Sequence, residues 1–207
     1  MNTNKDYTLG ANATADGGAA DKPTYRPRLS FYHANSRGTG SAMQLELHPA
    51  HDSIDGSIWA QFANQITVGD RRGPVPTYST FDWEHSIWVK LDFSDLTKML
   101  QVFRGESESV EDGKGLYHSS PRGTTRIILR HMVEPMSGYS MAVYRTLKGS
   151  NEETSTSILL SANEAYGLTV AIEASLGFLC FGIPQVVKRD TSEYRRNVKG
   201  MWDAPAA

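Results

Sequence analysis

The stretch FDWEHSIWVKLDFSDLTKML, residues 81–100, changes its hydrophobic period partway along. Ile87, Val89 and Leu91 alternate with polar or aromatic residues, which is the period of a half-buried strand. The apolar residues at positions 96, 99, 100 and 103 then have the spacing of one face of a helix. The stretch therefore predicts a strand that passes directly into a helix, with Asp92 or Ser94 as the helix cap.

The same transition occurs again in the C-terminal half. TSTSILLS, residues 154–161, has the composition of a strand and leads directly into ANEAYGLTVAIEASLGFLCFG, residues 162–182. Ser161 and Glu164 have the spacing of a capping box. Three further strand-like segments precede each junction, so we predict an α+β fold of two four-stranded antiparallel sheets, each followed by a helix.

The ends of the chain differ in composition from its centre. Residues 1–26 are poor in large apolar groups, which predicts a disordered N-terminal arm before a domain spanning 27–185. Residues 186–207 predict a flexible tail, for which no role and recruitment of a protein partner both stay open. The acidic stretch ESESVEDGKG, residues 106–115, predicts an unordered linker loop.

Composition restricts the class of protein. The formal net charge of −2 over 207 residues argues against binding to nucleic acid by bulk positive charge, so any such site must be a local stripe. No apolar run approaches the roughly 18 residues of a membrane span, and we expect no membrane partner. Cys180, the single cysteine, lies in an apolar run and is predicted to be a buried thiol. With no secretory signal, these features favour a cytoplasmic protein, bacterial or phage-encoded, with the mitochondrial matrix as the second choice.

The two junctions and their order resemble the Whirly family of single-stranded-DNA-binding proteins. The aromatic-Asp-Trp-Glu motif at residues 81–84 and the helix after it carry the resemblance. It continues through LYHSSPRGTTRIILRH, GYSMAVYRTLKG and the long C-terminal helix, over roughly residues 27 to 185. The resemblance implies the Whirly fold, a homotetramer and binding of single-stranded DNA, with the related guide-RNA-binding proteins of kinetoplastids as an RNA-binding precedent.

Candidate binding residues follow from strand alternation. Single-strand binding without sequence preference needs cations along the phosphates and aromatic faces on which bases stack. Alternate residues of a strand point to opposite faces, so the side chains opposite the apolar set are predicted to face outward. The candidates are Arg28, Tyr32, Trp59, Gln61, Trp88, Lys90, Arg126, Arg130, Tyr144 and Arg145, the last placed beside Arg126, Arg130 and Tyr144.

Other interpretations of these residues stay open. Trp59 and Trp88 also suit a subunit interface, and Arg126 and Arg130 also suit ion pairs with the acidic stretch. Trp83, flanked by two acids, is predicted to be structural. A non-catalytic assembly subunit that uses the fold for protein contacts is the competing class.

Signals for catalysis are weak. The histidines of HPAHD, residues 48–52, lie in a strand-to-turn context that does not place them on one face, and no nucleophile motif surrounds Ser119. We therefore predict no enzyme activity, no metal and no cofactor. The choice between DNA and RNA stays open, since stacking and phosphate contacts serve both.

Overall fold

The computed structural model of the protein describes residues 27–51, 53–133 and 137–183. Within them lie the strands β1 (Arg28–His33), β2 (Ser41–His48), β3 (Ser57–Asn64), β4 (Ile87–Leu91), β5 (Leu116–Ser120), β6 (Gly123–Met132), β7 (Gly138–Leu147) and β8 (Glu153–Ser161), and the helices α1 (Phe93–Phe103) and α2 (Ala162–Phe181). The predicted arm, residues 1–26, and the predicted tail, residues 186–207, lie outside the described residues.

The strands form two four-stranded antiparallel sheets. The first sheet has the order β1-β2-β3-β4 and the second β5-β6-β7-β8, so every strand pairs with its neighbour in sequence. Each sheet is followed by a helix, α1 after β4 and α2 after β8. The predicted fold class and the internal repeat of four strands and a helix are confirmed.

One face of each sheet is apolar and faces a shared core. In the first sheet, Leu45 of β2, Ala60 of β3 and Val89 of β4 are paired across the strands and all buried. In the second sheet, the buried row is Leu129, Met141 and Ile158. The helices supply the remaining core, with Leu96, Met99 and Leu100 from α1 and Leu168 and Ile172 from α2. The opposite faces are called here the outer faces.

Helix α1 begins at a capping box. The Asp95 amide donates to the Asp92 carboxylate at 2.9 Å, and the Asp92 amide donates to the Asp95 carboxylate at 3.0 Å. Of the two predicted caps, Asp92 is therefore the N-cap, and Ser94 lies within the first turn. Gly105 follows the last turn at φ +73°, a conformation that glycine adopts without strain.

Helix α2 has its predicted capping box of Ser161 and Glu164. Its far end lies against the β2–β3 connection, where the Gly56 amide donates to the Leu179 carbonyl at 3.1 Å. By length and composition alone these 20 residues could cross a membrane, contrary to the expectation that no run is apolar enough. In the fold, α2 buries one face against the two sheets and leaves apolar residues exposed on its other sides. Cys180 is among the exposed residues, so the prediction of a buried thiol is wrong.

The acidic stretch is ordered, contrary to the prediction of an unordered linker. Val110 is 2% exposed in the core and begins a tight turn, Val110–Gly113, in which Glu111 and Asp112 have positive φ. Glu111 forms an ion pair with Lys98 of α1 at 2.6 Å. Backbone contacts with β6 also hold the segment, through a bridge between Ser109 and Arg130 and a hydrogen bond of 2.9 Å from the His131 amide to the Glu108 carbonyl.

Candidate nucleic-acid interface

A cleft opens between the outer face of the first sheet and one end of the second sheet. Trp59, Trp88 and Lys90 line it from β3 and β4, and Arg122 and Arg145 line it from the opposite side. Its volume is about 610 Å³. The cleft thus combines the two chemical groups that single-strand binding requires, in a space that both sheets border.

The two tryptophans form the aromatic wall of the cleft. Trp59 pairs in register with Lys90, and Trp88 pairs with Gln61 one step further along, which makes the tryptophans diagonal neighbours. Their ring centroids are 6.3 Å apart at an interplanar angle of 64°. Trp88 is 38% exposed, and Trp59 is half-buried with His48 against its other side at 6.0 Å. Trp88 therefore offers the more open ring surface.

Three cations surround the tryptophans. Lys90 and Arg122 are exposed and Arg145 is half-buried. Among the described residues, none of the three has a carboxylate within ion-pair distance. Of the residues that the structure describes, Asp92 is the only carboxylate that lines the cleft with them, and it also serves as the α1 cap. The local charge is therefore positive in a chain whose formal net charge is −2.

One histidine of the cleft lies beside a buried carboxylate. His118 lines the cleft, and its Nε2 lies 3.4 Å from Oδ2 of Asp95, without the geometry of a hydrogen bond. Burial raises the pKa of Asp95, although the hydrogen bond from the Asp92 amide and the nearby His118 act in the opposite direction. The imidazole that lines the cleft thus lies beside a buried carboxylate.

Two predicted positions in this region need correction. Gln61 belongs to the outer face by alternation, as predicted, but is only 6% exposed. Its amide donates to the Ser86 hydroxyl at 2.7 Å, because the 82–86 segment crosses over this part of the sheet. Arg145 was predicted to lie beside Arg126 and Tyr144, but the odd-numbered residues of β7 point to the opposite face. It reaches the cleft instead.

The outer face of the second sheet carries a separate set of candidates. The Arg126 guanidinium carbon lies 5.0 Å from the centroid of the Tyr144 ring. Arg130 is exposed further along the same face of β6, and within the described part of the chain neither arginine pairs with a carboxylate of the acidic stretch. The structure thus divides the predicted site into a cleft and an outer face.

The first-strand candidates lie on β1, the edge strand furthest from β4. Arg28 forms an ion pair with Glu46 at 2.9 Å. Tyr32 packs against Phe81 and Trp83, with ring centroids 5.5 and 6.2 Å away. Trp83 is half-buried in this ring cluster, where it has the structural role predicted for it. Neither Arg28 nor Tyr32 lines the cleft.

Arg122 and His118 are cleft residues that sequence reasoning missed. Arg122 lies in the β5–β6 turn of SSPRGT, which has the residue types of a hairpin turn. Recognising that hairpin would have placed Arg122 at the end of the sheet, but not opposite Trp88, because the contact between the two sheets is tertiary. No group of three or more His, Cys, Asp or Glu residues is placed to hold a metal ion in the part of the chain that the structure describes.

Solved structures with the same architecture include plant and trypanosome proteins. WHY3 from Arabidopsis thaliana is 16% identical, with a TM-score of 0.61 over 87% of this chain and 99% of that one. WHY1 from Arabidopsis thaliana is 17% identical, with a TM-score of 0.59 over 77% of this chain and 94% of that one. The MRP1/MRP2 proteins of Trypanosoma are 13% identical, with a TM-score of 0.51 over 75% of this chain and 86% of that one.

The similarity is one of structure. No protein-family model matches the sequence, and no curated protein matches it significantly. The structural matches confirm that the chain has the Whirly fold, two sheets each followed by a helix.

Proposed function

We propose that this chain with the Whirly fold is a non-catalytic protein that binds single-stranded nucleic acid, most readily DNA, without sequence preference. The observation that carries the proposal is the cleft, where Trp59 and Trp88 lie beside three cations that have no carboxylate partner among the described residues. The resemblance of the sequence to Whirly proteins supports the same function.

The cleft favours single strands over duplexes. Stacking on Trp88 requires a base whose face is open, and bases in a duplex are already stacked and paired. Lys90, Arg122 and Arg145 would follow the phosphates on either side of the stacked bases. Stacking and phosphate contacts do not depend on the identity of the base, so the binding is expected to tolerate any sequence. A protein of this kind serves replication, recombination or repair.

A competition experiment tests the proposal. A labelled single-stranded DNA of about 16 nucleotides, near the upper size of one single-strand site, is bound and then displaced by unlabelled single-stranded DNA, duplex DNA or RNA of equal length at two salt concentrations. Three phosphate contacts predict a slope of log affinity against log salt of about −2, at roughly 0.7 per contact. Duplex DNA that competes equally, or the absence of binding at low salt, would contradict the proposal. RNA that competes better than DNA would assign the same cleft to RNA.

We also propose that the protein assembles as a homotetramer through α2. Exposed apolar residues on this helix include Tyr166, Val170, Phe178 and Phe181, the last 89% exposed. A helix that is apolar on several sides is expected to bury more than one of these sides in the assembled protein. Light scattering after size exclusion should give about 92 kDa, four times the 22.9 kDa of the chain, and a mass of one chain would contradict the assembly.

A further inference from the structure

The outer face of the second sheet carries a continuous row of aromatic and basic side chains. Tyr117 of β5, Arg126 of β6, Tyr144 of β7 and Ser155 of β8 are paired in register across all four strands. Tyr117 is 67% exposed, Arg126 is exposed, and Tyr144 is half-buried. Neighbouring strands lie about 5 Å apart, so these side chains form one line across the sheet.

The chemistry of this row suits a nucleotide chain. The guanidinium of Arg126 lies over the Tyr144 ring, which orients its planar group while leaving N–H donors for a phosphate. The ring of Tyr117 offers an open face for stacking. Within the described residues, no carboxylate lies at ion-pair distance from Arg126.

A small polar hollow continues the row beyond Tyr144. Its volume is about 170 Å³, and its polar lining includes Thr39, Asn64, Ser155 and Ser157. These side chains offer hydroxyl and amide groups and no net charge. Such a hollow can hydrogen-bond a sugar or a phosphate oxygen without repelling it.

The edge strand β5 connects this row to the cleft. His118 lines the cleft, and the preceding residue, Tyr117, lies on the outer face, because successive side chains of a strand point to opposite sides. Since β5 is the edge of its sheet, a flexible chain that passes over it moves from one face to the other. On the adjacent β6, Thr125 lines the cleft and Arg126 lies in the outer row. The two surfaces are therefore separated by the thickness of one sheet.

Neither of the two described helices covers the outer row. Tyr139, on the core-facing side of β7, donates from its hydroxyl to the carbonyl of Phe103, the last residue of α1. Buried residues of α2, such as Leu168, belong to the same core. The two described helices therefore lie on the side of the second sheet opposite to the outer row.

We propose that a strand held in the cleft continues over the edge of β5 and binds a second time along Tyr117, Arg126 and Tyr144. This inference rests on the proposed single-strand binding and extends it, because it makes the bound segment longer than the cleft. Affinity should accordingly depend on oligonucleotide length, and only the long oligonucleotide should reach the outer row.

The test compares two lengths of single-stranded DNA. One has about 6 nucleotides, near the lower end of the usual range of site sizes, and the other has about 18, beyond its upper end. Dissociation constants are measured by fluorescence anisotropy for the wild type, Arg126→Gln, Tyr117→Leu and Trp88→Ala. Lys114→Ala is the charge-matched control, since Lys114 is exposed and lines neither the cleft nor the polar hollow. The melting temperature of each variant shows that it is folded.

The two outer-row variants are expected to weaken binding of the long oligonucleotide about fivefold or more and of the short one less than about twofold. Trp88→Ala should weaken both, and Lys114→Ala neither. If the outer-row variants leave the affinity for the long oligonucleotide unchanged, or weaken the binding of both lengths equally, the proposal of a second contact is wrong. The proposed binding in the cleft would be unaffected by that result. If Trp88→Ala changes neither length, the proposed function itself fails.

Discussion

Replacing Trp88 by alanine is the most direct test of the cleft. Trp88 is 38% exposed, lines the cleft and lies 6.3 Å from Trp59. Stacking on an aromatic residue contributes about 1–3 kcal/mol per base, but Trp59 remains in the variant and keeps part of the wall. We therefore expect a loss of about 1–2 kcal/mol, which corresponds to roughly a 5- to 30-fold increase in the dissociation constant.

Fluorescence anisotropy gives the affinity, and tryptophan fluorescence reports the contact itself. The chain contains four tryptophans, and a base stacked on Trp88 should quench part of their emission in the wild type but less in the variant. Tyr78→Ala is the matched control, because Tyr78 is 74% exposed and lies outside the cleft. Trp88→Ala also loses the edge contact with Trp59, which contributes about 0.5–1.5 kcal/mol of stability. A thermal melt must therefore show that this variant is folded. A folded Trp88→Ala protein that binds within twofold of the wild type would refute the role of the cleft.

Three further changes test the charges, the packing and the titration. Lys90→Gln and Arg145→Gln should each reduce the slope of log affinity against log salt by about 0.7, and an unchanged slope would remove that residue from the phosphate contacts. Gly56→Ala should lower the free energy of unfolding in urea by about 1–3 kcal/mol, because the added Cβ would lie 2.5 Å from the backbone of α2. Gly167→Ala, with open space at its Cβ, should instead be neutral or stabilising. Burial raises the pKa of Asp95, so the contribution of this carboxyl group to stability is greatest at acid pH and falls as the pH rises through the raised pKa. Asp95→Asn should therefore flatten this part of the pH dependence of the free energy of unfolding.

The candidate site was predictable to the extent that it depends on strand alternation. Ile87, Val89 and Leu91 are buried, and Trp88 and Lys90 between them are exposed, as the period of two requires. Alternation assigns a side chain to a face, but it does not say what covers that face. Gln61 shows the limit, since the 82–86 segment buries it on the face that was predicted to be open.

Arg145 and Arg122 show a second limit. Arg145 was grouped with Arg126 because it directly follows Tyr144, although successive residues of a strand point to opposite sides. Its place opposite Trp88 depends on how one sheet packs against the other, and that packing is determined by the shared core and by both helices. The same holds for Arg122, which the β5–β6 turn brings to the cleft from 34 positions further along the chain than Trp88.

The sequence by itself determined the order of strands and helices, the capping box at Ser161 and the core-facing side of each strand, and it limited the α1 cap to Asp92 or Ser94. Those features depend on side-chain periodicity and on hydrogen bonds between residues three apart, which are local. Only the tertiary structure decided that the acidic stretch is ordered around Val110, that Cys180 is exposed, and that some of the predicted binding residues line a cleft while others lie apart from it. Each of these features results from contacts between segments that are distant in sequence. A local sequence pattern does not specify such contacts.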